Sequence, residues 1–244
     1  MKSLQNKKIR KIALIPARSG SVRIKDKNIV KFNGKPLIYY TIKLAKNSKL
    51  FDDIFVVTDK EKYKKISEKY GATVPSLRPK NTAGKYSPDI SWVKWILKKT
   101  NYTNLNTDIF FILRPTSPFR KVRTLKNAWK LFNKSKTDSL RAVQKCKEHP
   151  GKMWKLKKNF IQPLIKKKLN GSFWHSNQTL ALPKYYIQNA SLEISWVKNP
   201  LSKNSISGTK IKPFFSSEYE GFDINTPEDL KKALEISKKV NFKF

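Results

Sequence analysis

The sequence has little cysteine and no long apolar run. Its single cysteine, Cys146, excludes an internal disulfide and fits a protein of the reducing cytoplasm. The longest apolar runs, such as residues 54–57 and 109–113, are too short to span a bilayer. The apolar segment near the N-terminus is equally brief and Arg18 follows it, so we interpret it as a strand and not as a signal peptide. We therefore expect a cytoplasmic protein with no membrane partner.

Acidic residues and arginine are scarce beside lysine. The 244 residues include 53 Lys and Arg but only 17 Asp and Glu, which gives a formal net charge of +36. Eight of the basic residues are arginine, whereas nucleic-acid readers favour arginine because its planar guanidinium grips phosphates and bases. We therefore favour a solvated lysine coat and keep a nucleic-acid surface as an alternative. The charge would also attract an anionic small substrate.

Short apolar runs alternate with amphipathic stretches along most of the chain. Apolar runs of this length indicate buried strands, and apolar residues at helical spacing indicate helices. The predicted strands are residues 12–15, 54–57, 72–74, 109–113 and 192–197. The predicted helices are residues 37–46, 61–70, 90–99 and 122–133, and one that begins at Thr226-Pro227. Strands that alternate with helices predict an α/β fold with a mainly parallel sheet.

The alternation stops between residues 147 and 190, which hold turn residues and scattered aromatics. We interpret this segment as an insertion in a single domain of residues 1–244. We expect four of its aromatic side chains to be exposed, namely Trp154, Phe160, Phe173 and Trp174. Because exposed apolar patches commonly mark interfaces, the segment predicts a homodimer.

A cation-rich loop with one glycine follows the first predicted strand. Ligands of parallel sheets bind beyond the carboxyl ends of the strands, where this loop would lie. Gly20 lets the backbone approach a ligand, Ser21 offers a hydroxyl, and Arg18 and Lys27 offer positive charge, which together suit a triphosphate. The loop has neither the GxxxxGK[ST] of P-loop NTPases nor the GxGxxG of dinucleotide folds. On the residues alone, a phosphate-binding loop and a merely basic surface loop both stay open.

Six motifs occur in order along the chain: IPARSGS followed by KN, NGKPLIYYTI, VVTD, RPTSPFR, EHPGKMW and FDINTPEDL. Their order and spacing resemble the acylneuraminate cytidylyltransferase family, which includes CMP-sialic acid synthetases, over residues 12–234. The resemblance implies a Rossmann-like nucleotidyltransferase with a small inserted dimerisation subdomain at residues 147–190. It implies that the anomeric hydroxyl of a sialic-acid-like 2-keto-3-deoxy sugar acid attacks the α-phosphate of CTP, so that a CMP-sugar forms and pyrophosphate leaves. Positioning, cations and Mg²⁺ carry such a reaction.

The family's functional residues match positions of this chain. For the nucleotide, the resemblance implies Ala17, Arg18, Ser19, Gly20, Ser21, Lys27, Asn28 and Arg78. For the sugar acid, it implies Arg114, Thr116, Ser117, Asn177 and Gln178. For Mg²⁺, the family's Asp-x-Asp corresponds to Asp223-Ile224-Asn225, with Asp223 as the principal ligand and Asn225 as an auxiliary one. Lys27, Arg18 and Asp223 are the expected catalytic residues.

Several positions depart from the family's pattern, and most of them bear on the sugar acid. Val22 stands where many members have lysine, Arg114 replaces a common glutamine, and residues 85–88 read Lys-Tyr-Ser-Pro where many have Asp-Thr-Ala-Ser. The inserted segment lacks the arginine that usually precedes Leu-Pro, which leaves Asn177 and Gln178 as candidates. These departures favour a sugar acid that differs from N-acetylneuraminate.

Two further interpretations stay open. A nucleotide-sugar-dependent glycosyltransferase with a similar α/β domain would usually carry a DxD metal motif in mid-chain, and the sequence has none there. Asp59, which ends a predicted strand, either touches the nucleotide or caps the next helix.

Overall fold

A computed structural model of the chain describes residues 8–216 and 218–242. The chain divides into two compact units, the first formed by Met1–Ala142 with Asn189–Phe244 and the second by Val143–Gln188. The helices are α1 (Leu37–Ser48), α2 (Glu61–Lys69), α3 (Lys80–Ala83), α4 (Asp89–Lys99), α5 (Val122–Lys134), α6 (Lys198–Lys203) and α7 (Pro227–Lys239). The strands are β1 (Arg10–Pro16), β2 (Lys31–Phe32), β3 (Lys35–Pro36), β4 (Asp53–Val57), β5 (Asp108–Ile112), β6 (Ser139–Lys145), β7 (Trp154–Lys157), β8 (Phe160–Pro163), β9 (Lys168–Leu169), β10 (Ser172–Phe173), β11 (Tyr186–Trp196) and β12 (Ile211–Phe215). In the part of the chain covered by these ranges, no helix has the length and apolar character needed to cross a membrane.

The central sheet has six strands in the order β12-β6-β11-β5-β1-β4. Strand β1 lies between β4 and β5 and pairs with both in parallel, whereas β11 runs antiparallel to β5. Parallel neighbours need a crossover connection, and α1 supplies it between β1 and β4. The predicted α/β fold with a mainly parallel sheet is confirmed.

Helices cover both faces of the sheet, so every residue of β5 is buried. Successive side chains of a strand point to opposite faces. Ile109 and Phe111 therefore join one core cluster with α1 and α5, while Phe110 and Ile112 join a second cluster with α4. Burial on both faces explains why the sheet strands read as continuous apolar runs and not as alternating patterns.

Helix α2 ends at a glycine, as predicted. Gly71 has a φ of +85°, a conformation that glycine adopts readily. Its N–H donates to the carbonyl of Glu68, and the N–H of Ala72 donates to the carbonyl of Ser67, which is the Schellman pattern. The chain therefore turns sharply after α2 and returns along the outer side of β4.

The predicted strand at residues 72–74 is wrong. Thr73 makes only an isolated parallel bridge to Phe55. Pro75 follows at once and has no N–H with which to extend a ladder. The strand predicted at residues 192–197 exists but is longer, because β11 begins at Tyr186. Strands β6 and β12 were not predicted.

The unit Val143–Gln188 contains two small antiparallel sheets, β7 with β8 and β9 with β10. Trp154, Phe160 and Phe173 are 45%, 76% and 41% exposed, as expected. The expectation that Trp174 is exposed is wrong, because only 6% of it is accessible and it packs against His149 and Tyr185. Trp174 is thus part of the small core of this unit.

Candidate active site

A cavity of about 570 Å³ opens at the carboxyl edge of the central sheet, within the first unit. The loops that follow β1 and β5 supply much of its wall. Nine predicted site residues line it: Arg18, Ser21, Lys27, Asn28 and Arg78 from the nucleotide set, Arg114 and Thr116 from the sugar-acid set, and Asp223 and Asn225 from the metal set. Residues far apart in sequence are therefore brought together around one space.

Other predicted site residues do not line this cavity. Ala17 and Ser117 are buried, and the side chain of Ser19 is turned towards Asp59. Gly20 belongs to the loop, where an added Cβ would meet Arg18 Nη1 at 3.4 Å. The remaining two, Asn177 and Gln178, belong to the unit Val143–Gln188.

Hydrogen bonds within the loop after β1 hold its two ends together. Asn28 is buried, and its Nδ2 donates to the carbonyl of Arg18 at 3.1 Å. The N–H of Ser21 donates to the carbonyl of Ser19 at 2.7 Å. A short 3-10 turn, Lys27–Ile29, completes the loop. These bonds fix the two ends of the loop next to each other, so Arg18 and Lys27 face the same cavity.

Asp59 holds this loop and does not cap helix α2. The N–H of Ser19 donates to Asp59 Oδ1 at 2.7 Å, and Ser19 Oγ donates to Asp59 Oδ2 at 2.8 Å. The N-cap of α2 is Lys60, which has no side-chain cap bond. Both carboxylate oxygens of Asp59 are therefore occupied by one residue of the loop.

Lys27, Asn225 and Asp223 form a hydrogen-bonded row. Lys27 Nζ donates to Asn225 Oδ1 at 2.9 Å, and Asn225 Nδ2 donates to Asp223 Oδ2 at 2.6 Å. The N–H of Asn225 donates to Asp229 Oδ2 at 2.9 Å, so the capping box that starts α7 also fixes Asn225. Burial lowers the pKa of Lys27, and the charge of Asp223 offsets part of this effect. Asp223 Oδ1 is buried and has no hydrogen-bond partner in the part of the chain that the structure describes.

Arg114 is locked between two carboxylates. Its Nη2 donates to Asp89 Oδ2 at 2.5 Å and lies 3.3 Å from Glu193 Oε1, while Glu193 Oε2 lies 3.0 Å from Arg141 Nη2. Burial opposes the charge of Arg114, but the two carboxylates outweigh it and raise its pKa. Burial also opposes the ionisation of Asp89, but Arg114 and a bond from Trp92 Nε1 outweigh it and lower its pKa. The two carboxylates therefore compensate the positive charge of Arg114 in this part of the cavity wall.

Arg78 is buried between Thr82 and Trp92. Its Nε donates to Thr82 Oγ1 at 3.1 Å, its Nη2 donates to the carbonyl of Thr82, and its guanidinium lies 5.7 Å from the ring centroid of Trp92. Burial lowers the pKa of Arg78 to about 10, although nearby carboxylates oppose the shift. The side chain is thus still a cation at neutral pH.

Several lining residues were missed by the sequence analysis. Arg23 and Lys85 add two cations, so six cationic side chains and two carboxylates line the cavity. Arg23 lies inside the predicted loop and could have been included with its neighbours. Asp89 and Trp92 come from the first turn of α4, and the arginine that pairs with Asp89 is 25 residues away, so no local pattern indicated that they line the cavity.

The carboxyl edge of a parallel sheet is where α/β proteins bind their ligands, and the cations of this cavity suit an anionic ligand such as a nucleotide. The model of the Cytidylyltransferase family matches residues 12–241. The chain belongs to this family and is an enzyme of the nucleotidyltransferase class. The resemblance drawn from the six motifs is thereby confirmed, and membership in this family favours it over the glycosyltransferase alternative.

Relatives agree with this assignment, and a solved structure shares the fold. The chain is 33% identical over 235 residues to the CMP-N,N'-diacetyllegionaminic acid synthase of Legionella pneumophila, across 91% of this chain and 93% of that protein. It is 38% identical over 130 residues to a pseudaminic acid cytidylyltransferase of Campylobacter jejuni, across 52% of this chain and 56% of that protein. A solved CMP:2-keto-3-deoxy-manno-octonic acid synthetase complexed with CTP has a TM-score of 0.67 at 14% identity, across 95% of this chain and 99% of that one, and shows the shared fold.

Replacing Arg114 by glutamine should change how stability depends on pH. A carboxyl group whose pKa is lowered by folding stabilises the protein above its unfolded pKa, here near 3.8, and this contribution is lost as the pH falls through the folded value. Without Arg114, the largest contribution that lowers the pKa of Asp89 is lost. Between about pH 5 and pH 3, the free energy of unfolding should therefore fall more steeply in the wild type than in Arg114→Gln.

Urea unfolding at a series of pH values measures this difference. Asp89→Asn removes the titrating group of this pair and serves as the control, since the same arginine substitution should then change the slope much less. Parallel pH profiles for the wild type and Arg114→Gln would contradict the assigned pair.

Proposed function

We propose that the chain transfers the cytidylyl group of CTP to the anomeric hydroxyl of a nonulosonic acid and releases pyrophosphate. The observation that carries this proposal is the excess of cations in a cavity of a cytidylyltransferase family member. Asp89 and Glu193 compensate Arg114. One further lining carboxylate, Asp223, stands against five other lining cations, so positive charge is in excess on Arg18, Arg23, Lys27, Arg78 and Lys85. A polyanionic triphosphate supplies the missing negative charge.

Lys27 and Arg18 are the residues that we assign to the reacting phosphate. A bond forms between the sugar oxygen and the α-phosphorus, the bond to pyrophosphate breaks, and negative charge is spread over the phosphoryl oxygens. Fixed cations stabilise this charge because they need no reorganisation during the reaction. Lys27 is fixed by the neutral amide of Asn225, so its charge is not cancelled by its nearest partner.

We propose Asp223 as the principal protein ligand of a Mg²⁺ ion. Its buried Oδ1 lacks a partner among the residues described, and a free carboxylate oxygen is the ligand that Mg²⁺ prefers. Asn225 Oδ1 already accepts from Lys27, so we assign Asn225 an auxiliary role at most. When bound, the ion would stabilise charge on phosphate oxygens. No group of three or more His, Cys, Asp or Glu suited to a metal occurs within residues 8–216 and 218–242, so the phosphates would supply further ligands.

For the sugar acid we propose Arg114 and Thr116, which line the cavity, together with the neighbouring buried Ser117. The Legionella relative, named for N,N'-diacetyllegionaminic acid, matches 91% of this chain. That acid is therefore the first substrate to test, followed by pseudaminic acid and an N-acylneuraminate, which other relatives are named for. We place the reaction in the cytoplasm.

The protein should release pyrophosphate from CTP in the presence of Mg²⁺ and one of these acids, and far less from ATP, GTP or UTP. Lys27→Met should lower kcat about 100-fold or more, because a fixed charge is lost where negative charge develops. The KM for CTP should change much less, because this charge acts mainly in the transition state. A coupled pyrophosphate assay measures both constants.

Lys25→Met is the matched control, because Lys25 is an exposed residue of the same loop that does not line the cavity. It should behave as the wild type. Equal turnover of all four nucleotides, or no pyrophosphate with any of the acids, would contradict the proposal.

Asp223→Asn should weaken the use of Mg²⁺ while leaving the fold intact. We expect the Mg²⁺ concentration at half-maximal rate to rise about tenfold or more, which corresponds to about 1.4 kcal/mol of binding. Titration of Mg²⁺ at fixed CTP measures this value. Glu61→Gln, an exposed carboxylate on α2, is the control and should not change it. An unchanged Mg²⁺ dependence in Asp223→Asn would refute the metal assignment.

We propose that a second copy of the chain covers the exposed apolar side chains of the unit Val143–Gln188. Phe160 and Leu156 stand on paired strands and are 76% and 75% exposed. Light scattering at micromolar concentration should give about twice 28.4 kDa, and Phe160→Lys should shift the mass towards the monomer. Lys166→Gln alters charge without removing apolar surface and should leave the mass unchanged. A wild-type mass of 28.4 kDa would contradict the dimer.

A further inference from the structure

The corner between β4 and α2 contacts the nucleotide loop at two separate points. At the first point, Asp59 accepts from the N–H of Ser19 at 2.7 Å and from its hydroxyl at 2.8 Å. Ser19 adjoins Arg18, a cation of the cavity wall. One carboxylate holds both the backbone and the side chain of Ser19. It therefore restricts the backbone conformation next to Arg18.

At the second point, two side chains of α2 hold Asp26. The hydroxyl of Tyr63 donates to Asp26 Oδ1 at 3.1 Å, and Lys62 Nζ lies 3.1 Å from Asp26 Oδ2. Asp26 directly precedes Lys27 and the 3-10 turn Lys27–Ile29. The contact therefore stands one residue before the cation that we assign to the reacting phosphate.

The backbone at Asp26 explains why this point needs an anchor. Asp26 has a φ of 54°, in the left-handed region that few residues other than glycine, Asn and Asp adopt. This conformation turns the chain so that Lys27 lies in the cavity wall. Tyr63 is rigid because it is almost fully buried in the core cluster beneath the sheet. The bond from Lys62 lowers the pKa of Asp26, so its carboxylate is charged at neutral pH.

We propose that Asp59 and Tyr63 are positioning residues, which hold the two ends of the nucleotide loop so that Arg18 and Lys27 meet the same phosphate chain. Neither side chain lines the cavity, and each acts through a loop residue that adjoins a cation. The inference rests on the proposed cytidylyl transfer. It assigns the geometry of the loop to the corner between β4 and α2, since Asp59 lies in that corner and Tyr63 stands in the first turn of α2.

A second buried tyrosine offers a matched comparison. The hydroxyl of Tyr102 donates to Asp53 Oδ2 at 2.5 Å, at the opposite end of β4 from Asp59. Tyr102 is also almost fully buried. Tyr63→Phe and Tyr102→Phe therefore each remove one buried tyrosine–aspartate bond, but only the first of them touches the nucleotide loop.

The test compares kcat and the KM for CTP in the wild type and both tyrosine variants. Tyr63→Phe should lower kcat about tenfold, the scale of a lost hydrogen bond to a charged group, with a much smaller change in KM. Tyr102→Phe should keep the kcat of the wild type although it lowers stability. Hydrogen exchange without any ligand should show faster exchange of amides 18–29 in Tyr63→Phe than in Tyr102→Phe.

Two substitutions of Asp26 separate the anchor from the backbone conformation. Asp26→Gly keeps the positive φ but removes both bonds, so it should reproduce the loss of kcat. Asparagine tolerates the same φ and keeps an acceptor for Tyr63, so Asp26→Asn should keep most of the wild-type kcat.

Wild-type turnover of CTP together with a normal kcat in Tyr63→Phe and Asp26→Gly would overturn the inference alone. An equal loss of kcat in Tyr102→Phe would also overturn it, because the effect would then reflect general stability. A wild type that neither binds nor turns over CTP would overturn the proposed function and the inference with it.

Discussion

The parallel pairing of β1 with β4 is the constraint on which the whole site depends. Its register places Pro16 opposite Val57, and the N–H of Ala17 donates to the carbonyl of Val57 at 2.9 Å. Both strands end at the same edge, so the nucleotide loop and Thr58 start side by side. The N–H of Arg78 donates to the carbonyl of Thr58 at 2.7 Å, which brings a further cation to this edge. Backbone hydrogen bonds thus fix the positions of the residues that carry the positive charges.

The sheet centre and several helix ends could be predicted because their signals are local. Burial on both faces makes β1, β4 and β5 continuous apolar runs, and Gly71 marks the end of α2 by its backbone freedom. The direction of β11 could not be predicted, because it depends on the path that the chain takes between β6 and β11. Strand β12 alternates between exposed and partly buried residues and carries no apolar run. Its place at the sheet edge is a tertiary effect.

For the candidate site, too, the sequence predicts some residues and not the contacts that hold them. Residues in the loops after β1 and β5 could be predicted, since the carboxyl edge of a parallel sheet is where ligands bind. The pairs that hold these loops could not be predicted, because Ser19 and Asp59 are 40 residues apart and Arg114 and Glu193 are 79 apart. Tertiary packing decides which carboxylate pairs with which arginine, so no pattern in the sequence predicts these pairs.

Charge compensation distinguishes the two parts of the cavity wall. Arg114 is compensated by direct ion pairs with Asp89 and Glu193, whereas the hydrogen-bond partner of Lys27 is a neutral amide, and Asp223 offsets only part of the effect of burial on its charge. A partly buried cation without a direct ion pair costs free energy, which a bound polyanion recovers. The amide of Asn225 accepts from Lys27 and donates to Asp223, and it joins them without changing the net charge of the site.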